Sequence, residues 1–349
     1  KLGMQSDRVE RIWGIAQAIG LQLGDNTLAA QAGEVAMLAK ADLLTDMVGE
    51  FPELQGIMGR YYAKHDGISD EIAFAIEDHY KPRFAGDDLP RNMAGTCAAL
   101  ADKLEALVGM FGVGQVPSGD KDPFALRRHA FGVVRMLVQK HLNINLHDLV
   151  LLAQKYMPQD IRHSPRCDPD LVTNFLLDRA RRYFIDQGHN YHAIESVISP
   201  FGSATPLGVL ADIIPMATAF LSTEEGRILA NANKRITNIL KKSGEKITYA
   251  NYSVDGLKMP DPSLFESDVE VNLWDALQKI GKKSEVLKSE KRFAEALDIL
   301  VKLAPPVKDF FEQVLVNVED QRIRNNRFVL LQCGRVYMNQ VADLSLMVS

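Results

Sequence analysis

Cysteine is scarce in this chain of 349 residues: Cys97, Cys167 and Cys333 lie far apart and never in CxxC spacing. That excludes a disulfide framework and a zinc ribbon, and it fits a reducing cytosol. No apolar run reaches the roughly 18 residues that span a bilayer. No signal peptide is visible either, so a cytoplasmic protein without a membrane partner is expected. GxxxxGKS/T, HExxH and GxSxG are all missing, which removes the commonest phosphate-loop, zinc-protease and hydrolase signatures. A large excess of one charge is missing too. The formal net charge of −5 gives no global attraction to nucleic acid or an anionic membrane. The chain opens on Lys1 and runs straight into a helical pattern, as a piece of a longer protein would.

Local charge is more informative. Residues 34–88 hold twelve Asp or Glu against five Lys or Arg, whereas residues 226–247 hold six Lys or Arg against one Glu. The asymmetry predicts a basic working surface in the C-terminal half.

Helical punctuation fills the sequence. Val9, Ile12, Ala16 and Ile19 recur at helical spacing, and Asp25-Asn26 can cap the next helix. Ser69 precedes Ile72, Ala75, Ile76 and Tyr80, with Pro82 as a stop. Leu100, Leu104, Leu107 and Phe111 make another stripe. Asp122-Pro123 and Asp168-Pro169 each set a carboxylate before a proline at a first helical turn. The helix after Pro123 is expected to bury Leu126, Ala130, Val133, Val134 and Leu137, with Arg127, Arg128 and Arg135 to its side. Further on, Leu229, Ala232, Ile236 and Ile239 form a stripe, and Ser267 with Glu270 forms a capping box before Trp274 and Leu277. Only residues 246–254, KITYANYSV, read partly as a strand. The expectation is an all-α protein, long enough for two domains. A Pro-, Asp-, Arg- and Ser-rich break at Met157–Pro169 divides residues 1–160 from 161–349, with connecting helices over 161–220.

From Glu34 onward the helices carry residues that packing alone would not select: Lys40, Asp42, Glu50, Glu53, Gly56, Gly59, Asp102, Arg127 and Arg128. They shape a binding cleft, or they cap and join short helices. Two His-Asp dipeptides, His65-Asp66 and His147-Asp148, invite comparison with metal phosphohydrolases of the HD type. There such a pair, a further His and a distant Asp hold a divalent cation that activates water. Here the first reads as a turn before Gly67. The second reads as the first turn of a helix, where the dipole favours Asp. Gly109, Gly112 and Gly114 follow a helix, so they read as a helix stop rather than a nucleotide loop.

Two basic stretches remain. ANANKRITNILKK sets Lys234, Arg235, Asn238, Lys241 and Lys242 on one helix, and EDQRIRNNRFVLL sets Arg322, Arg324 and Arg327 beside Asn325 and Asn326. Arg pairs with phosphates and stacks on bases, and Asn offers a donor and an acceptor to a base edge. The competing reading of each is a solvated helical face.

The stretches KADLLTDMVGEFPELQGIMGRYYA, HYKPRFAGDDLP, ALADKLEALVGMFGVGQVPSGDKDPFALRR, ANKRITNIL and FFEQVLVNVEDQRIRNNRFVLL are long and distinctive. They resemble the β-subunit family of the bacterial heterotetrameric glycyl-tRNA synthetases, over essentially this whole chain but only that subunit's C-terminal portion. The resemblance implies an HD-like helical domain followed by a helical anticodon-binding domain of the arginyl-tRNA synthetase type. It implies tRNA(Gly), an α subunit and the N-terminal part of the β subunit as partners. The adenylate site, with ATP and magnesium, would lie on the α subunit. That accounts for the missing catalytic signatures of both synthetase classes, and no cofactor or metal is expected on this chain. Ser6, just before Arg8-Val9, stands where the first His of an HD site would be, and Ala41 where the His of the His-Asp pair would be. Asp42 and Asp102 remain, and two carboxylates without imidazoles make a poor transition-metal site.

The family role points Lys121, Arg127 and Arg128 at the acceptor arm, where a helix start also attracts phosphate. It points Lys234, Arg235, Asp320, Arg322, Arg324, Asn325, Asn326 and Arg327 at the anticodon. Asp320 and Asn325 could accept from the N4 amino group of cytosine. Against this, Asp320 could simply cap a helix, and Asn325 and Asn326 could brace a junction. A metal-dependent phosphohydrolase and a helical scaffold without a nucleic-acid role stay open as alternatives.

Overall fold

The computed structural model describes residues 2–243, 252, 254 and 256–348. Among these, helices alone form the regular structure, and an isolated bridge pairs Ser118 with Lys121. The strand-like reading of 246–254 lies outside the described residues except at Tyr252 and Val254. No single described helix is long and apolar enough to cross a membrane.

The chain divides into two compact units, residues 1–183 with 203–209, and residues 184–202 with 210–349. In the first run α1 (Gln5–Leu23), α2 (Asn26–Leu38), α3 (Asp46–Glu50), α4 (Ile57–His65), α5 (Asp70–Asp78), α6 (Met93–Gly112), α7 (Leu126–Gln139), α8 (Leu146–Lys155) and α9 (Gln159–Arg162). α10 (Pro169–Asp186), α11 (Tyr191–Phe201) and α12 (Leu207–Ser222) follow. The second unit continues with α13 (Glu224–Lys242), α14 (Asp268–Ala276), α15 (Lys282–Ser289), α16 (Phe293–Leu300), α17 (Ala304–Gln313) and α18 (Gln321–Met338).

Local chemistry accounts for the starts. Asp25 accepts the N–H groups of Thr27 and Leu28, Ser69 that of Ile72, and Asn92 that of Gly95, each satisfying donors a helix cannot pair itself. α6 is the axis of the first unit. Its stripe of Leu100, Leu104, Leu107 and Phe111 is buried, and so is most of the opposite face. Ala94, Gly95, Ala98, Ala99 and Ala101 keep that face thin, and α1, α2, α5, α7 and α8 pack around it. A Cβ on Gly95 would sit 3.2 Å from the backbone of Ala75.

Several expectations need correction. The Met157–Pro169 segment does not divide the units. Ile161 and Cys167 are buried against Gly112, so it belongs to the first. The helix after Pro123 begins only at Leu126, with Ala125 in the left-handed region and the Asp122 carboxylate accepting from Leu126 and Arg127 N–H. Arg135 is buried rather than lateral, donating to the carbonyls of Asp87 (2.8 Å) and Phe84 (3.3 Å). The buried face of α13 is rotated from the expected stripe to Leu229, Asn233, Ile236, Thr237 and Leu240, because Asn233 Oδ1 accepts from Asn339 inside the unit.

In the second unit α13 packs against α18 and α17, and α14 packs against α17. The expected box at Ser267 is replaced by another arrangement: Glu270 accepts the N–H of Glu266 and, 3.3 Å away, the Ser267 hydroxyl.

Candidate functional site

Of the residues singled out in the first unit, Lys40 and Asp102 meet in a buried ion network on α6. Arg8 donates to Asp102 Oδ1 (2.9 Å) and to Glu105 Oε2 (2.8 Å), and Arg11 reaches Glu105 Oε1 at 2.6 Å. Lys40 Nζ lies 3.2 Å from Asp102 Oδ1 and 3.9 Å from the centre of the Tyr80 ring. Lys103 turns the other way and donates to the carbonyls of Tyr80 (3.2 Å) and Lys81 (3.0 Å). Burial alone would raise the Asp102 carboxyl, but Lys40 and Arg8 outweigh it and hold the group well below the usual range. Burial lowers Lys40 more than Asp102 restores it, pushes Lys103 down to about 8 and His129 to about 4, and keeps His79 neutral.

This arrangement does not suit a metal. Ser6 sits exposed in the first turn of α1, and Ala41 is exposed beside Asp42. The two retained carboxylates line separate cavities, Asp42 with Thr45, Gly59 and Tyr62, and Asp102 with Lys103, Arg128 and His129. Asp42 Oδ2 accepts the N–H groups of Gly56 (2.6 Å) and Gly59 (3.1 Å), and Asp102 is taken by two side-chain cations. The charge a divalent ion would supply already comes from Lys40 and Arg8. His65 ends α4 with Gly67 turning at φ +82°, and His147 lies beside Thr173 in the first turn of α8. Of the earlier alternatives, Asp42, Gly56 and Gly59 join short helices. The sequence signal for the rest of the network was the tetrad Asp102, Lys103, Leu104, Glu105 inside a helix apolar on every side. His79 and Tyr80 gave no such signal.

At the start of α7, Lys121 and Arg128 are exposed, and neither side chain has a hydrogen bond or ion pair among the described residues. Arg127 is half-buried, donating to the Gly119 carbonyl. The backbone N–H groups expected to attract phosphate are filled by Asp122.

In the second unit α18 sorts its polar residues sharply. Asp320 is the N-cap, accepting from Arg322 and Ile323 N–H. Asn326 is buried and exchanges two hydrogen bonds with the backbone of Asp261, at 2.7 and 2.9 Å. Arg327 is 4% exposed, paired with Glu270 at 2.8 Å and Glu266 at 2.9 Å, and donating to the Leu315 carbonyl. Arg324 donates to the Val318 carbonyl at 3.2 Å. Arg322 and Asn325, three apart and so on one face, are exposed, with no side-chain hydrogen bond among the described residues. On α13, Lys234 donates to the Val348 carbonyl, whereas exposed Arg235 stacks over Phe311 with 4.3 Å to the ring centre. Asn238, Lys241 and Lys242 face solvent. The surface left for a ligand is narrower than the list of basic residues: Arg322, Asn325, Arg235, Lys241 and Lys242.

Comparison with known proteins bears on both units. Residues 1–199 match the family model described as glycyl-tRNA synthetase beta subunit, and residues 229–344 match the DALR anticodon-binding domain. Among curated relatives, the glycine–tRNA ligase beta subunit of Thiobacillus denitrificans is 47% identical over 349 residues, covering 99% of this chain and 47% of the relative. Those of Methylobacillus flagellatus and Nitrosomonas europaea are each 45% identical, over 345 and 359 residues, covering 99% of this chain and 47% and 48% of the relatives. The chain thus spans about half the length of the curated relatives it matches.

Proposed function

The chain belongs to the glycyl-tRNA synthetase β-subunit family, and on that premise we propose that it is the tRNA-holding part of a cytoplasmic glycine–tRNA ligase. A separate α subunit carries the adenylate chemistry with ATP and magnesium. This chain supplies no catalytic group and holds no metal, its HD-like site being closed by Lys40 and Arg8 on Asp102. The acceptor arm runs past Lys121 and Arg128, and the anticodon meets the second unit. The observation that carries the reading is the exposed Arg322–Asn325 face, next to the N-terminus of α18, in a unit that matches an anticodon-binding model. Such a face offers phosphate a fork of donors and a base edge an amide.

The experiment is a titration of tRNA(Gly) and a non-cognate tRNA across ionic strength. Phosphate contacts give an affinity that falls linearly with the logarithm of salt concentration. The reading expects that fall, with tighter binding of tRNA(Gly), and equal or salt-insensitive binding would refute it. Metal analysis should find no stoichiometric transition metal on the purified chain, and about one tightly held ion per chain would reopen the HD site.

A further inference from the structure

Residues 41–59 form a surface that contains none of the residues assigned to tRNA above. Leu43, Leu44, Met47 and Phe51 are all exposed, Leu44 at 92%. A cluster of apolar side chains in one short segment is uncommon on a free surface and marks a contact site. The segment is held firmly. The Asp42 carboxylate ties its ends through Gly56 and Gly59, and Thr45 caps α3 by accepting from Val48 N–H. Both glycines are required: a Cβ would lie 2.8 Å from Tyr80 at Gly56, where φ is +79°, and 2.9 Å from Ile76 at Gly59.

Charge says what kind of partner fits. Residues 41–59 contain no Lys or Arg, and Asp46, Glu50 and Glu53 are exposed without ion pairs among the described residues. Of the cations flanking them, Lys40 is buried on Asp102 (3.2 Å), and Arg60 and Lys64 are held by Glu77 (2.8 Å) and Asp70 (2.9 Å). Such a surface repels a phosphate backbone and attracts a basic protein face. Beside it lies a cavity of about 380 Å³ lined by Ala41, Asp42, Thr45, Gly59 and Tyr62 among others. Asp42 is 2% exposed, and its Oδ1 has no hydrogen-bond partner. A buried acceptor of this kind is satisfied by a charged donor that reaches it.

We propose that this face docks a protein partner presenting a Lys or Arg among apolar side chains. The basic group enters the Asp42 cavity, and Leu44, Met47 and Phe51 pack against the partner's apolar surface. The inference rests on the proposed function only for its probe, the separate α subunit. Purified α subunit is titrated into the complete β chain by calorimetry, and tRNA(Gly) binding and thermal melting are measured in parallel. Leu44→Ser with Phe51→Ser, and separately Glu50→Lys with Glu53→Lys, should each raise the Kd for α about tenfold or more. Binding of tRNA(Gly) by β alone, and its melting, should stay as in the wild type. Unchanged α affinity in both variants overturns the proposal. So does tRNA binding lost with α binding intact, or self-association of β that Leu44→Ser abolishes. Failure of wild-type α and β to associate would sink the parent reading and this one together, and it shows without any variant.

Discussion

Arg327 was a candidate for contacting tRNA, and the structure makes it a structural cation instead, which a stability measurement can decide. Its guanidinium donates to Glu270 at 2.8 and 3.2 Å and to the Leu315 carbonyl at 2.9 Å, and Glu270 is 0% exposed. Arg327→Met fills similar volume but leaves a buried carboxylate without its cation. Breaking a buried pair from one side costs about 3–5 kcal/mol. Glu270 keeps the Glu266 N–H and the Ser267 hydroxyl, so the lower end, about 3 kcal/mol, is expected. Arg327→Met with Glu270→Leu removes both charges and should return to within about 1–2 kcal/mol of wild type.

Trp13 and Trp274 are the two tryptophans. In a Trp13→Phe background the buried Trp274 therefore reports the second unit alone during urea unfolding. With m near 2 kcal/mol/M, the single variant should lower the midpoint by about 1.5 M. Burial would raise the Glu270 carboxyl, but Arg327 holds it below its ordinary value. The pair's stability is therefore complete above the unfolded carboxyl pKa and lost as pH falls through the depressed folded one. A loss below about 1 kcal/mol in Arg327→Met, accompanied by weaker tRNA binding, would refute the reasoning and return Arg327 to the RNA surface.

Three further outcomes are expected. Lys40→Met, which leaves Asp102 with Arg8 alone, should destabilise the first unit by about 3 kcal/mol in urea unfolding, and adding Asp102→Leu should recover part of that. His129 is held near 4 by burial, so the unfolded state binds more protons between about 4 and its ordinary value of 6.5. Stability should fall through that window as pH drops, by up to about 3 kcal/mol, and His129→Gln should flatten the fall. Arg322→Ala should leave melting unchanged while weakening tRNA(Gly) binding and reducing the salt slope by about one, and an unaltered slope would remove this face from the interface.

Much of the fold was legible because its signals are local. The caps at Asp25, Ser69 and Asp168 and the α6 stripe depend on residues within a turn or two, and the sequence carries both members of each interaction side by side. The α13 stripe was misread by part of a turn because Asn233 and Thr237 count as polar in any periodicity. They are nonetheless interior, with Asn339, 106 residues further on, supplying the partner of Asn233. The unit boundary was misplaced for a similar reason. Pro, Asp and Arg at 157–169 read as a linker, yet Ile161 and Cys167 fill the space that Gly112 leaves.

The sequence by itself determined the all-α class, several helix starts, the family and the absence of His at positions 6 and 41. Each is a matter of composition, spacing or short-range chemistry. Tertiary structure alone decided which charges are free. Arg322 and Arg327 stand five apart with the same side chain, and of the two Arg327 forms an ion pair among the described residues, with a carboxylate 57 residues away on another helix. Asn325 and Asn326 are adjacent, and only Asn326 meets the Asp261 backbone, 65 residues away. Lys40 stood out in the sequence as a cleft or junction residue, and only the fold set it against Asp102 and the Tyr80 ring. A helix's period states which residues share a face. Which face is covered depends on elements remote in sequence, and an ionisable group's role follows from that cover, because burial makes an unpaired charge too costly to keep.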